Sequence, residues 1–334
     1  MGLKRGFSIL VAVGVSFGLL YYAFRNVDFS DVARILAGAK LGWLPLLIAL
    51  PALDIWVRAV RWRLLLAPLV KTDSWTLFKL ESVGLGLNNL AFLRLGEFAR
   101  GYFAGEVLGV PVWSALSTIL VERLCDTTAL LILFGVGSAW LSAVISPALR
   151  HGVLIGAAVV AAVLLGVTTI EHALERFDAW RRLEARHPRV HRLIQELILG
   201  TRALRSPGRA AAVAGLSFSL WLCDGLLYWA AAQALDFNPS LGYLHAIAVL
   251  TAAAGACVIP AAPGAFGNLE AGVKALLEHF GYGPDIAIGY AALVHLSAYV
   301  VVTSLGVVFL HRFGHTLAGL GRRLGEARRE VQAP

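Results

Sequence analysis

Glu122-Arg123-x-x-Asp126 puts three ionisable side chains on one stripe of an otherwise apolar run. At about 100° per residue they fall within an arc of about 100°, with Asp126 between the other two. Arg94-Leu95-Gly96-Glu97-x-x-Arg100 is a second charged group. On a helix, residues 94, 97 and 100 would form a stripe with i, i+3 pairing. Asn88 and Asn89 just before it favour a turn or unwound backbone. A guanidinium matches phosphate geometry, so Arg94, Arg100 and Arg123 are candidate ligands for a lipid headgroup. The third group is Glu270, which follows Pro260, Pro263, Gly264 and Gly267. Lone carboxylates complete the set. Asp54 has Arg58 at i+4 and reads as a simple pair. Asp224 has no basic neighbour in sequence and reads as a relay or binding group.

An ionised side chain at the centre of a bilayer costs about 2.5–3.5 kcal/mol on insertion scales, so such groups pair, bind or relay protons. Two readings stand for each cluster. The Glu122 trio lies either inside the membrane or, if Thr127 to Ile145 is the span, at the interface as a solvated salt-bridge cluster. The Arg94–Arg100 stripe is either a headgroup site or a surface amphipathic helix. Glu270 either forms an exposed helix pair with Lys274, worth a few tenths of a kcal/mol, or is desolvated and contacts substrate or protons. His245 and His295 read as histidines that satisfy local hydrogen bonds. His311 and His315 have i, i+4 spacing but no third ligand nearby.

The hinge before Glu270 is a backbone feature. Two prolines and two glycines between Pro260 and Gly267 cannot sit inside one regular helix. Leu244 to Ile259 before it and Leu269 to Phe280 after it have helical patterns. At membrane depth, non-helical backbone persists only where protein or a water-filled cavity satisfies it, and transporters build substrate sites at such broken helices. Pro263, Gly264, Gly267 and Glu270 therefore join Asn88, Arg94, Glu97, Arg100, Glu122, Arg123, Asp126 and Asp224 as candidate binding or gating residues.

The elements that must carry these groups are membrane helices. The 334 residues are 58% hydrophobic and 15% charged, with a mean hydropathy of +0.73, against about 25% charged in soluble domains. By the length a span requires, the spans read as 6–24, 41–57, 120–145, 151–170, 210–235 and 285–311. The first is an uncleaved helix, since it lacks a small-x-small cleavage site. Stretches 75–110 and 243–281 fail as clean spans and read as re-entrant hairpins. With the N-terminus inside, the inner segments then hold 20 of the 29 Lys and Arg, and the outer loops hold Arg25, Arg34, Lys40 and Arg150. This asymmetry sets the orientation. It also explains the net charge of +8 by contact with anionic lipid, without nucleic acid. The expected fold is an all-α polytopic membrane protein, with about six spans and two oppositely oriented re-entrant or broken hairpins related as an inverted repeat. Residues 1–314 form one integral membrane domain, and 315–334 a basic cytoplasmic tail.

Within the loop 171–209, Val190, Leu193, Ile194, Leu197 and Ile198 share a helical face flanked by Arg189, Arg192 and Arg202. This helix either lies on anionic lipid or packs in a cytosolic hairpin. Cys125, Cys223 and Cys257 have no ligand-like spacing. The phosphate-binding loop and H-E-x-x-H are missing. No metal or cofactor is expected.

The blocks Arg58-Ala-Val-Arg61-Trp62-Arg63, Asn88-Asn89 with Arg94-x-Gly96-Glu97-x-x-Arg100, Glu122-Arg123-x-x-Asp126 and Pro263-Gly264-x-x-Gly267-x-x-Glu270 occur in this order over most of the chain. In this the sequence resembles the flippase-like family named for the transmembrane domain of lysylphosphatidylglycerol synthase. Phe92 stands where members usually have proline, and Ala265 where they often have a second glycine. The resemblance implies handling or translocation of polar lipids in a bacterial cytoplasmic membrane. In the full-length synthase, aminoacyl transfer belongs to a separate soluble domain, which the resemblance does not extend to, and some stand-alone relatives are associated with hopanoid or other isoprenoid-lipid pathways.

The expectation is a transporter of the broken-helix type for an anionic or isoprenoid-linked lipid, with both termini cytoplasmic. Arg94, Arg100 and Arg123 would bind the headgroup, and Glu97, Glu122, Asp126 and Glu270 would gate or couple to protons. Two rivals stay open: a membrane glycosyltransferase or related lipid-modifying enzyme using two carboxylates as acid and base, and a non-catalytic partner of lipid-biosynthesis enzymes.

Overall fold

The computed structural model describes residues 14, 18–90, 95–140, 147–174, 185–237, 241–258 and 263–314. Arg94, the tail 315–334 and most of the first expected span lie outside the described residues. The described chain is helical: α1 (18–24), α2 (Phe29–Ala37), α3 (Leu44–Leu66), α4 (Ser74–Leu90), α5 (Leu95–Leu108), α6 (Val112–Trp140), α7 (Pro147–Leu174), α8 (Pro188–Leu199), α9 (Pro207–Ala234), α10 (Tyr243–Ala256), α11 (Asn268–His279) and α12 (Pro284–Arg312). Among the described residues, three helices are long and apolar enough to cross a membrane: Leu41–Leu66 with its leading 3-10 turn, α9 and α12. At 1.5 Å per residue the 29 residues of α12 span about 43 Å.

Both stretches expected to be re-entrant are broken helices that fold back on themselves. α4 packs against α5, and α10 against α11. Their orientations follow from α12. Trp75 and Phe78 at the start of α4 meet Phe309, near the end of α12, edge to face. Asn89, near the end of α4, donates from Nδ2 to Thr303 Oγ1 at 3.0 Å. α4 thus runs antiparallel to α12 and enters from its C-terminal end. The second hairpin closes at His279, just before α12 begins, and so enters from the other end. α4 also packs against the Pro263–Ala265 turn, where a Cβ on Gly264 would meet Tyr299. The end of α4 and the Pro-Gly turn therefore meet beside residues 295–303, the middle of α12.

The apolar core divides in the same way. One cluster joins the later half of α3 to α4, α5 and the start of α6, and includes Trp62, Leu65, Leu77, Leu80 and Phe103. The other joins the early half of α3 to α9, α10, α11 and the start of α12, and includes Leu47, Leu50, Leu227, Val249 and Val294. α3 and α12 pass through both. Exposed Leu53, Leu120, Leu222, Leu226, Leu296 and Val300 leave an apolar outer surface suited to lipid.

Several helix boundaries differ from expectation. α3 runs on to Leu66, so Arg58 and Arg61 are helical rather than loop residues, and Arg61 is fully buried. α6 begins at Val112, which carries the Glu122 trio well inside a helix. The amphipathic helix is α8, and it packs on α6 and α7. His191 and Ile198 are buried there while Val190 and Leu197 stay exposed.

α4 and α12 cross at a glycine pair. A Cβ on Gly306 would lie 2.8 Å from the Gly86 Cα and 2.6 Å from the Ser82 carbonyl oxygen. Close backbone approach of this kind supplies helix association where lipid is as apolar as the side chains. Gly306→Ala is expected to lower stability by about 1–3 kcal/mol through overpacking, and Gly306→Val by more. A thermal-melt series on purified protein measures it, and unchanged melting of both variants would show that the helices separate without cost.

Candidate functional site

Most of the charged candidates converge in one buried network near a common end of the bundle. The end of α3, the start of α4, the end of α5 and the start of α6 lie together because short connections join them in sequence. Counted along each helix, Arg61, Glu81, Arg100 and Glu122 sit about 8–15 Å inside that end.

Arg100 from α5 is clamped by two carboxylates. Its Nη1 donates to Glu81 Oε2 of α4 at 2.5 Å, and its Nη2 donates to Glu122 of α6. The guanidinium lies over the Trp62 ring at 4.2 Å, and Trp62 Nε1 donates to Thr118 Oγ1 at 2.9 Å. Arg61 from α3 donates to both oxygens of Asp126 and to Ser217 Oγ of α9 at 2.9 Å. Its Nε lies 3.7 Å from Glu122 Oε1. Glu122 thereby holds both arginines. Arg58 bonds Asp54 at 2.7 Å and approaches Asp126 at 3.6 Å, which bears out the i+4 pairing of Asp54. Asp224 on α9 lies within electrostatic reach of Asp54, Arg58 and Asp126.

Burial decides between the open readings. Glu122 is 0% and Asp126 6% exposed, so these two carboxylates lie in an interior network, while Arg123 stands at its edge. The Glu97–Arg100 stripe pairs between helices and not along its own. Glu97 faces Arg123 at 3.5 Å, and these side chains, 29% and 33% exposed, form the network's accessible rim. Arg100, at 3% exposed, is held by protein carboxylates and is not free for a headgroup. Across the network Asp54, Glu81, Glu97, Glu122, Asp126 and Asp224 outnumber Arg58, Arg61, Arg100 and Arg123. Sequence reading omitted Glu81 and gave Arg61 no chemical role. The signal for Glu81 was a lone carboxylate in an apolar helix.

The hinge forms a second group. Glu270, at the third position of α11, reaches back to accept from the Gly267 N–H at 2.6 Å, half of a capping box. Its other oxygen lies 2.6 Å from His295 Nδ1, and His295 Nε2 lies 2.8 Å from the Gly264 carbonyl oxygen. His295, read from sequence as a histidine that satisfies local hydrogen bonds, is thus the hydrogen-bonding partner of Glu270. Its bonds reach 25 and 31 residues back along the chain. Lys274 is not paired with Glu270. Its ammonium donates to the carbonyls of Tyr22, Ala23 and Arg25 at 3.2, 3.0 and 2.7 Å and so caps the C-terminus of α1. An asparagine bridges each break. Asn88 Oδ1 accepts from the Gly96 N–H at 2.8 Å, and Asn268 Nδ2 donates to the Ala256 carbonyl at 2.9 Å. Pro263 enters the turn through its backbone. Among the described residues, no group of three or more His, Cys, Asp or Glu could hold a metal ion.

Comparison against known proteins identifies the family. Residues 9–306 match the family described as the lysylphosphatidylglycerol synthase TM region. The chain belongs to this family. A relative from Methanothermobacter thermautotrophicus, named "UPF0104 membrane protein", is 24% identical over 263 residues, covering 72% of this chain and 76% of its own. No solved structure matches. In this member of the lysylphosphatidylglycerol synthase TM-region family, the Pro-Gly turn holds three residues at positive φ. Ala265 adopts φ 60°, between Gly264 at 68° and Gly267 at 88°.

Two outcomes follow. Arg61→Ala leaves Asp126 and Glu122 short of their shared cation and is expected to destabilise by about 3–5 kcal/mol; a denaturation series that places it within 1 kcal/mol of wild type, roughly the worth of an exposed pair, would refute a buried network. Ala265→Gly relieves a left-handed alanine, which costs about 1–2 kcal/mol, against an entropy penalty of about 0.4–1 kcal/mol. A net gain of about 0.5–1 kcal/mol is expected, read as a raised melting temperature.

Proposed function

We propose that this protein is a lipid transporter of the broken-helix type, which moves or handles a polar lipid across the cytoplasmic membrane. The observation that carries this reading is the meeting of two opposed broken helices beside the middle of α12. A polar path needs backbone interrupted at mid-membrane and held there by protein. Polar groups flank that meeting point, with the Arg–carboxylate network on one side and Glu270–His295 at the turn itself.

Both termini face the cytoplasm in this reading, which the Lys and Arg distribution supports. Membrane lipids are the partners. An anionic or isoprenoid-linked headgroup would be received at the rim by Arg123. Glu122 and Asp126 would then answer to changes in the arginines they hold. With the phosphate-binding loop missing from the sequence, the driving force would come from a gradient, a partner or downhill movement.

Purified protein in liposomes with fluorescent anionic, zwitterionic and isoprenoid lipids tests this directly. Wild type is expected to accelerate transbilayer movement of at least one of them. Arg123→Ala and Glu270→Gln are each expected to slow it roughly tenfold, equivalent to about 1.4 kcal/mol. Full activity in both variants would remove these residues from the transport site.

A further inference from the structure

Hydrogen-bond geometry at the hinge fixes how many protons Glu270 and His295 hold between them. The Gly264 carbonyl oxygen can only accept, so the His295 Nε2 facing it at 2.8 Å carries a hydrogen. Glu270 Oε2 is engaged by the Gly267 N–H at 2.6 Å. A second proton must lie between Nδ1 and Oε1, which are 2.6 Å apart, because two bare lone pairs at that distance repel. Drawn as imidazolium with carboxylate, or as imidazole with carboxylic acid, the pair holds the same protons and is neutral overall.

We propose that Glu270 and His295 form a proton-binding site that latches the broken helix. With the bridging proton present, the segment 264–270 is fastened to α12 at both ends. When that proton passes to water, a neutral imidazole faces a carboxylate, the pair carries one negative charge, and the Nδ1–Oε1 bond is lost. The segment is poised to move, since Gly264, Ala265 and Gly267 all have positive φ and the alanine is strained there. The pair itself is buried, at 5% and 6% exposed. Its cover is thin: Phe266 lies 4.5 Å from the His295 ring, centroid to centroid, and is itself 37% exposed.

The neighbouring elements place few charges against the pair. α9 contributes Tyr228, with Cys257 at the end of α10 within its electrostatic reach. α12 contributes Tyr299, which contacts the His295 ring. On α11, Lys274 and Glu278 approach each other at 3.8 Å, and Lys274 is turned to the α1 carbonyls. α4 brings Asn89 to this level, with Lys79 and Glu81 toward its other end. The bridging proton is therefore the main charge variable at the turn.

The latch rests on the transport reading only for what its release accomplishes, and its test reads a distance. Spin labels at Val258→Cys and Leu296→Cys, exposed on either side of the turn, would be placed in full-length protein with Cys125, Cys223 and Cys257 changed to alanine. Pulsed-EPR distances would be recorded at a series of pH values from mildly acidic to mildly alkaline. Wild type is expected to give one distribution at low pH and a second, longer one as pH rises. Glu270→Gln keeps the bridge without a titratable proton, because its amide donates to Nδ1 and its oxygen accepts from Gly267. It is expected to hold the short distribution at every pH, and His295→Ala the long one. A wild-type distance that does not respond to pH, or a Glu270→Gln response matching wild type, would overturn the proposal. If His295→Ala does not fold, the comparison of wild type with Glu270→Gln decides. Lipid movement without a pH-dependent distance defeats the latch alone, and a pH-dependent distance without lipid movement defeats the transport reading alone.

Discussion

Arg61 and Arg100 are buried guanidiniums in a chain built to live among lipid tails, and the surrounding architecture follows from neutralising them. Neither has a carboxylate partner on its own helix. Asp126 and Glu122 of α6 meet Arg61 of α3, while Glu81 of α4 and Glu122 meet Arg100 of α5. Ser217 adds α9 to the set. A buried ion pair is weak evidence for net stability, since desolvation offsets most of the attraction. What it does supply is register. Apolar side chains can slide past one another in lipid at little cost, whereas an arginine separated from its carboxylate there is intolerable.

Interrupted backbone imposes the matching requirement at the other group. Peptide groups freed by a broken helix must find partners within the protein. Asn88 and Asn268 bridge the two breaks, and Glu270 and His295 bind the amide and carbonyl of the Pro-Gly turn. Lys274 treats the exposed end of α1 in the same manner. The same side chains that satisfy the backbone are therefore the ionisable groups of the hinge, which joins local structure to any response to protons or ligand. α3 and α12 run through both core clusters, so the two hairpins pack on the same pair of helices.

Legibility in the sequence divided along a physical line. The hinge around Pro263 and Gly264 was readable because proline and glycine act on their own backbone. The pairs Asp54–Arg58 and Arg123–Asp126 were readable because helical spacing makes them neighbours. Lys274 shows the limit of that rule: four residues after Glu270, it ignores Glu270 and reaches the end of α1 instead. Glu81, Arg61 and His295 were passed over or undervalued because their partners lie 19 to 65 residues away along the chain.

Composition, periodicity and charge placement thus determined by themselves that this is a helical, multi-pass membrane protein with two broken hairpins, since each of those properties resides in a residue or in its near neighbours. Only the tertiary structure decided which charges pair, that Arg100 is enclosed while Arg123 and Glu97 stay accessible, and that His295 completes the hinge. Those facts depend on the contact geometry of helices distant in sequence. In a bilayer that geometry is chosen by a few buried polar contacts and close glycine crossings, because the apolar pattern around them is nearly uniform.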